Sequence, residues 1–180
     1  WFIHIAVMVF GSIFMLRYIK TPKGRNRKDI ILLKMPGINS LITKMAVARF
    51  SRIFASLMSA GVSVIDAIEI TAKAVGNTVF EKELMIASKA VSNGEQLSVP
   101  LMKSKVFPPI VSQMMAIGEE TGETDSVLIK VAEFYEEEVD AAVDGLSSIL
   151  EPILIVVMGG MVGVIAVSVI GPISSLSKNI

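Results

Sequence analysis

Few residues in this chain have a type and spacing suited to chemistry. His4 is the single histidine of the 180 residues, and there is no cysteine. A catalytic or metal-binding histidine needs partners, and none stands near it in the sequence, so His4 reads as an interfacial or helix-packing residue. Without a second His or any Cys there is no donor set for zinc, no thiol nucleophile and no disulfide scaffold. A Ser/His/Asp arrangement has no histidine to use away from position 4. No GxxxxGK[ST] phosphate loop occurs, so the chain does not read as an ATPase. No metal and no cofactor are expected.

Two constellations remain. Glu119, Glu120, Glu123 and Asp125 gather around Gly118 and Gly122. They read as a solvated turn between helices, as a partner-binding surface, or as a divalent-cation site. Glu119 and Glu120 fall in the last turn of the helix that Gly122 ends, where each carboxylate opposes the macrodipole by roughly 0.3–1 kcal/mol. Local rules are broken most often at functional sites. The second constellation is Gly159 and Gly163, a GxxxG inside an apolar run. Small residues let membrane helices approach closely, although glycine is common in such helices anyway.

The elements that carry these residues are helical. Val47, Phe50, Phe54, Leu57 and Met58 share one helix face, and Gly61 ends that helix. Ser63 with Asp66 three residues on marks a helix start. Val64, Ile65, Ile68 and Ala72 form the next stripe, closed by Gly76-Asn77. Phe80, Leu84, Ala87 and Val91 form a third, stopped by Asn93-Gly94. A short helical turn follows from Ser98, with Pro100 tolerable in its first turn. Pro108-Pro109 opens a helix running to about Thr121. The last helix starts near Thr124, read as its N-cap, with Asp125 in the first turn. Leu128, Ala132, Tyr135, Val139, Ala142, Leu146 and Ile149 form a heptad seam, with Glu136, Glu137 and Glu138 on the solvated face. That helix continues towards an apolar run through Glu151-Pro152, where a kink is expected. No alternating β-branched stretch competes, so the fold class is all-α.

Composition adds a membrane. Counting glycine and leaving out tyrosine, roughly 58% of residues are apolar, against about 45–50% in soluble domains. The mean hydropathy is +0.65. Residues 1–19 reach about 28 Å as a helix and the uncharged run from Pro152 to Ile173 about 33 Å, near the ~30 Å of a bilayer core. A signal peptide would carry its charges before the apolar core, and here they follow it. The start at Trp1, already inside an apolar helix, suggests a fragment whose N-terminal part is missing.

Charge sets the orientation. Residues 17–52 carry ten Lys/Arg and one acid, residues 119–151 eleven acids and one base. The six bases from Arg17 to Lys28 lie beside the first apolar run and are expected on the cytoplasmic side. That accounts for the basic stretch without a nucleic-acid partner. The expected organisation is a transmembrane helix at 1–19, a basic cytoplasmic linker at 20–40 and a helical cytoplasmic domain at 41–148. A second transmembrane helix at 149–173 and a non-cytoplasmic tail at 174–180 follow.

Several segments resemble the F domain of type II secretion and type IV pilus inner-membrane platform proteins. They are Arg49-Phe50, Leu57-Met58-Ser59-Ala60-Gly61-Val62-Ser63, Gly94-Glu95-Gln96-Leu97-Ser98 and Phe107-Pro108-Pro109. Gly118-Glu119-Glu120-Thr121-Gly122, Tyr135-Glu136-Glu137-Glu138-Val139 and Leu150-Glu151-Pro152 continue the series in order and register. The resemblance implies the second of two repeated domains, a bundle of about six helices between flanking transmembrane helices. It also implies a multi-pass protein of the bacterial cytoplasmic membrane that is not an enzyme.

The partners so implied are a cytoplasmic hexameric assembly ATPase, pilins or pseudopilins, other inner-membrane assembly proteins and further copies of the chain. Pro100 and the Ile170-Gly171-Pro172-Ile173 exit depart from the family pattern. The reading leans to the pilus branch over secretion. A two-span signalling protein and a transporter subunit are the alternatives. The first lacks a phosphoacceptor histidine in its central part, the second lacks ionisable residues inside its spans apart from His4.

Overall fold

Thr21 and Pro22 together start a helix. The Thr21 hydroxyl accepts the Gly24 N–H at 3.2 Å and Pro22 occupies the first helical position. The computed structural model describes residues 21–177. Within them lie seven helices and no strand: α1 (Pro22–Lys34), α2 (Ile38–Ser59), α3 (Val64–Ala74), α4 (Thr78–Ser92), α5 (Ser98–Lys103), α6 (Pro109–Thr121) and α7 (Thr124–Ser177). The all-α class holds. The expected membrane segment 1–19 and the last residues of the expected tail lie outside the described residues.

Helix α1 corrects the expectation of a linker at 20–40. Beyond its local start it has a tertiary anchor. Asp29 is buried, and its carboxylate accepts both the backbone N–H and the hydroxyl of Thr78 at 2.8 Å, at the start of α4. Asn26 accepts from the Lys82 ammonium at 2.8 Å. A basic run dense in Pro and Gly is thereby held as a helix across the entrance of α4.

The chain divides into two compact units, the first ending at Val139 and the second starting at Asp140. The core of the first is aromatic at its centre. The Phe107 ring meets Phe50 edge-on at 5.3 Å and Phe80 edge-on at 5.1 Å, and Phe50 stacks on Phe54 at 5.7 Å. Around it α2 buries Val47, Phe50 and Phe54, with Leu57 and Met58 half-buried at its end. Helix α4 buries Phe80, Leu84 and Ala87, and α7 buries Leu128, Ala132 and Tyr135. The stripe on α3 is Ala67, Ile68, Thr71, Ala72 and Val75; Val64 and Ile65, expected inside it, stay exposed in the first turn. Ser63 caps α3, accepting the Asp66 N–H and donating to its carboxylate at 2.6 Å.

The acidic face of α7 is also not simply solvated. The Arg52 guanidinium grips Glu136 with two bonds, Nε to Oε1 at 2.9 Å and Nη2 to Oε2 at 2.5 Å. Lys44 pairs with Glu138 at 2.6 Å. Two of the three glutamates thus bind α2, and Glu137 is exposed. The bases of α2 and the acids of α7, segregated along the chain, meet across the bundle. In the second unit Val156, Met158 and Val164 are 73%, 65% and 68% exposed, and the neighbouring apolar side chains are similar. A helix apolar on every side needs an apolar surround.

By length and composition, no single helix among the described residues is long and apolar enough to cross a membrane, and Leu154–Ala166 is a shorter apolar stretch. One bent pair, Gly24–Lys34 with Ile38–Ser59, passes together at 115°. Its second member buries Phe50 and Phe54 in the protein core, and its first carries four bases, so packing explains it better than lipid.

The hydrogen bond from Arg52 pulls the Glu136 carboxyl below its usual range and raises the guanidinium further, so both groups favour the charged pair. Because the folded-state value of Glu136 is depressed, its stabilisation is fully present above the ordinary glutamate range and is lost as pH falls from there through the depressed value. Both partners are over a third exposed, which limits the pair to about 0.2–1 kcal/mol. Thermal unfolding of Glu136→Gln should therefore show a deficit at pH 7 that shrinks as the pH falls below the ordinary glutamate range. A deficit unchanged at pH 3 would assign the loss to packing.

Candidate functional site

The acidic turn is built by two glycines. Gly122 adopts φ +75° and ends α6 in the left-handed conformation, reversing the chain into α7. Gly118 is buried, and a Cβ there would lie 2.8 Å from the Cα of Thr124. The last turn of α6 therefore meets the start of α7 backbone to backbone, which a bare glycine permits. Helix α7 begins at Thr124 itself. The Glu123 carbonyl accepts the Val127 N–H at 3.1 Å, so the cap position expected at Thr124 falls one residue earlier.

The four acids of the turn do different things. Glu119 points back to the start of α5, where its two carboxylate oxygens accept the N–H groups of Leu97 at 2.5 Å and Ser98 at 3.2 Å. Both residues are buried and the Leu97 side chain cannot cap, so Glu119 supplies the cap from 21 or 22 residues away. The conflict with the α6 dipole is thus offset by a favourable position at the other end of a different helix. Asp125 accepts the Ser59 hydroxyl at 2.9 Å and ties the start of α7 to the end of α2. That bond, followed by the Ser126 backbone N–H, holds its carboxyl below the usual range. Glu123 receives the Ser126 hydroxyl at 3.4 Å on its carboxylate and is exposed. Glu120 is exposed and makes no hydrogen bond or ion pair among the described residues.

The constellation read from the sequence is brought together but splits in function. Glu119 and Asp125 hold helices to one another, and Glu120 and Glu123 face outward. No group of three or more His, Asp or Glu able to hold a metal ion occurs among the described residues. Gly159 and Gly163 are exposed, and a Cβ on either would meet nothing within 4 Å. Their face of α7 is open in a single chain. The sequence reading missed the Asp29 anchor and the Arg52–Glu136 clamp. The surplus of base in one segment and acid in another was their only trace.

Fold and site define a helical-bundle scaffold whose charges bind chiefly its own helices. Residues 50–172 match the family described as Type II secretion system (T2SS), protein F. The chain is 37% identical over 178 residues to a type IV pilus assembly protein PilC of Myxococcus xanthus, covering 98% of this chain and 43% of that protein. It is 44% identical over 157 residues to a type IV pilus assembly protein PilC of Thermus thermophilus, covering 87% of this chain and 39% of that one. A type II secretion system protein F of Pseudomonas aeruginosa is 30% identical over 173 residues, covering 96% and 43%. The chain belongs to the type II secretion system protein F family. It spans about two fifths of the length of these relatives.

Glu119 makes the sharpest test of this geometry. Glu119→Ala leaves two buried amides without an acceptor and should cost about 1–3 kcal/mol. Glu119→Gln keeps one carbonyl acceptor and should lose less than half of that. Denaturation of the two variants beside the parent checks the order, and equal small losses would mean the carboxylate is not the cap.

Proposed function

We propose that the chain is part of the inner-membrane platform of a type IV pilus assembly machine, with type II secretion as the alternative branch. The observation that carries the proposal is the match of residues 50–172 to the protein F family. The names of the relatives support the rest. Identity is higher to the pilus assembly proteins, 37% and 44%, than to the secretion protein, 30%, which favours the pilus branch. In this reading the first unit is cytoplasmic and couples a hexameric assembly ATPase to pilins leaving the membrane. The role is mechanical, and catalysis lies with the ATPase.

Helix α7 suits such coupling. Within its bounds Thr124–Ser177 it carries core residues Leu128, Ala132 and Tyr135 and the apolar stretch Leu154–Ala166. A displacement of the packed end would act on the apolar end through the backbone ladder. The apolar stretch lies in the second transmembrane helix at 149–173, and Gly159 and Gly163 offer it a face for another helix, in the same chain or a second copy. Glu120 and Glu123 form the docking edge for basic residues of the motor. Glu119 and Asp125 position that edge and do not contact the partner.

Deletion of the full gene should abolish surface fibres and leave secreted proteins in the same culture unchanged, with a complementing copy restoring the fibres. Loss of secretion alone would move the protein to the other branch. The Glu120→Lys/Glu123→Lys variant should also be fibreless while keeping its thermal transition, and normal fibres would remove the docking edge.

Orientation has its own test, made simple by the absence of cysteine. On intact cells an impermeant maleimide should label Ser177→Cys and spare Ser126→Cys. The reverse pattern would invert the topology.

A further inference from the structure

A cleft of about 170 Å³ opens between α1, α2 and the turn joining α3 to α4. Leu32, Ile42, Met45 and Val75 give it an apolar side, Asn77 is bonded to the start of α4, and two exposed cations line it, Lys28 and Arg49. Among the described residues neither cation makes a hydrogen bond or an ion pair. The one acid in the lining, Asp29, is already committed to Thr78. Two unpaired cations above apolar walls call for a ligand that is both anionic and greasy. Arg and Lys favour phosphate oxygens for this task, Arg through paired N–H donors.

We propose that this cleft binds the phosphate headgroup of an anionic phospholipid, with the adjoining acyl or glycerol carbons against Leu32, Ile42, Met45 and Val75. Size argues against a nucleotide, because the cleft is smaller than the ~300–1,000 Å³ that hold drug-sized ligands. Hydrated inorganic phosphate would gain nothing from the four apolar walls. Reach favours lipid. Lys28 is nine residues along the chain from the end of the apolar run at Ile19, at most about 30 Å even for a fully stretched chain. The rest of α1 agrees, since Arg25, Arg27 and Lys34 are exposed alongside Ile31, which is 58% exposed. Basic and apolar side chains on one exposed helix suit the interface of an anionic leaflet. The inference rests on the membrane placement proposed above.

The experiment uses the full chain in a neutral detergent and short-chain phosphatidylglycerol and phosphatidylcholine, with binding read by native mass spectrometry. Phosphatidylglycerol should bind about tenfold tighter than phosphatidylcholine, and Lys28→Gln/Arg49→Gln should remove that preference while melting as the parent does. Lys89→Gln, an exposed base on α4 away from the cleft, should keep it. Equal binding of the two lipids, or a preference that survives the double variant, overturns the site. Displacement of phosphatidylglycerol by an equal concentration of inorganic phosphate overturns the lipid assignment in favour of a free-anion site. Extraction of native membranes with alkaline carbonate separates the two levels. A chain retained in the membrane but lacking lipid preference sinks the cleft alone, and a chain released by carbonate sinks the membrane reading beneath it.

Discussion

Phe107 is the side chain on which the first unit turns. It stands in the connection between α5 and α6 and places its ring edge-on to both Phe50 and Phe80. Each such aromatic contact is worth about 0.5–1.5 kcal/mol beyond the area it buries. The consequence is mainly geometric. A residue outside any helix fixes the distance between α2 and α4 and, through Pro108 and Pro109, sets where α6 must start. Once α6 starts there, its last turn arrives at α5 and α7 together. Gly118 permits the close approach to Thr124 and Glu119 reaches Leu97 and Ser98.

Charge in this chain is used chiefly for internal register. The bases of α2 and the acids of α7 pair at Arg52–Glu136 and Lys44–Glu138, eight residues apart on α2 and two apart on α7. Individually these exposed pairs contribute little. Collectively they fix the rotation of α7 against α2, and Asp125 with Ser59 fixes its start. A one-residue slip of α7 would cost three contacts at once and move Leu128, Ala132 and Tyr135 off the core. The burial specifies that α7 packs; the charges specify where along its length.

Legibility in the sequence followed the range of the interaction. The Ser63 cap, the Pro109 start and the Gly122 stop depend on neighbours within about four residues, and each stood where the spacing put it. The stripes on α2 and α4 were also readable, because a helix repeats its face every 3.6 residues. Helix α1 was not. Its Pro, Gly and charge content argues for a linker, and the contact that holds it as a helix comes from Thr78, 49 residues from Asp29. Glu119 is the instructive case. Its position against the α6 dipole breaks a local rule visible in the sequence, and the reason lies at a helix start 22 residues earlier in the chain. The Arg52–Glu136 pair spans 84 residues and no pattern of spacing encodes it.

The two units also differ in the surface they expose. Up to Val139 the exposed residues of α7 alternate with buried ones, as a helix on a protein core requires. In Leu154–Ala166 every described side chain is exposed and none is charged. Water cannot stabilise thirteen such residues, because the cost of wetting aliphatic surface runs near 25 cal/mol per Å². The exposed surface of the one helix thus changes from mixed to wholly apolar between Asp144, the last acid with a described exposed side chain, and Leu154. Glu151 and Pro152 stand in that interval. Only the packed end of α7 carries the contacts that hold it in register, Arg52–Glu136, Lys44–Glu138 and Ser59–Asp125, so its freedom to slide along α2 is set there and not in the apolar stretch.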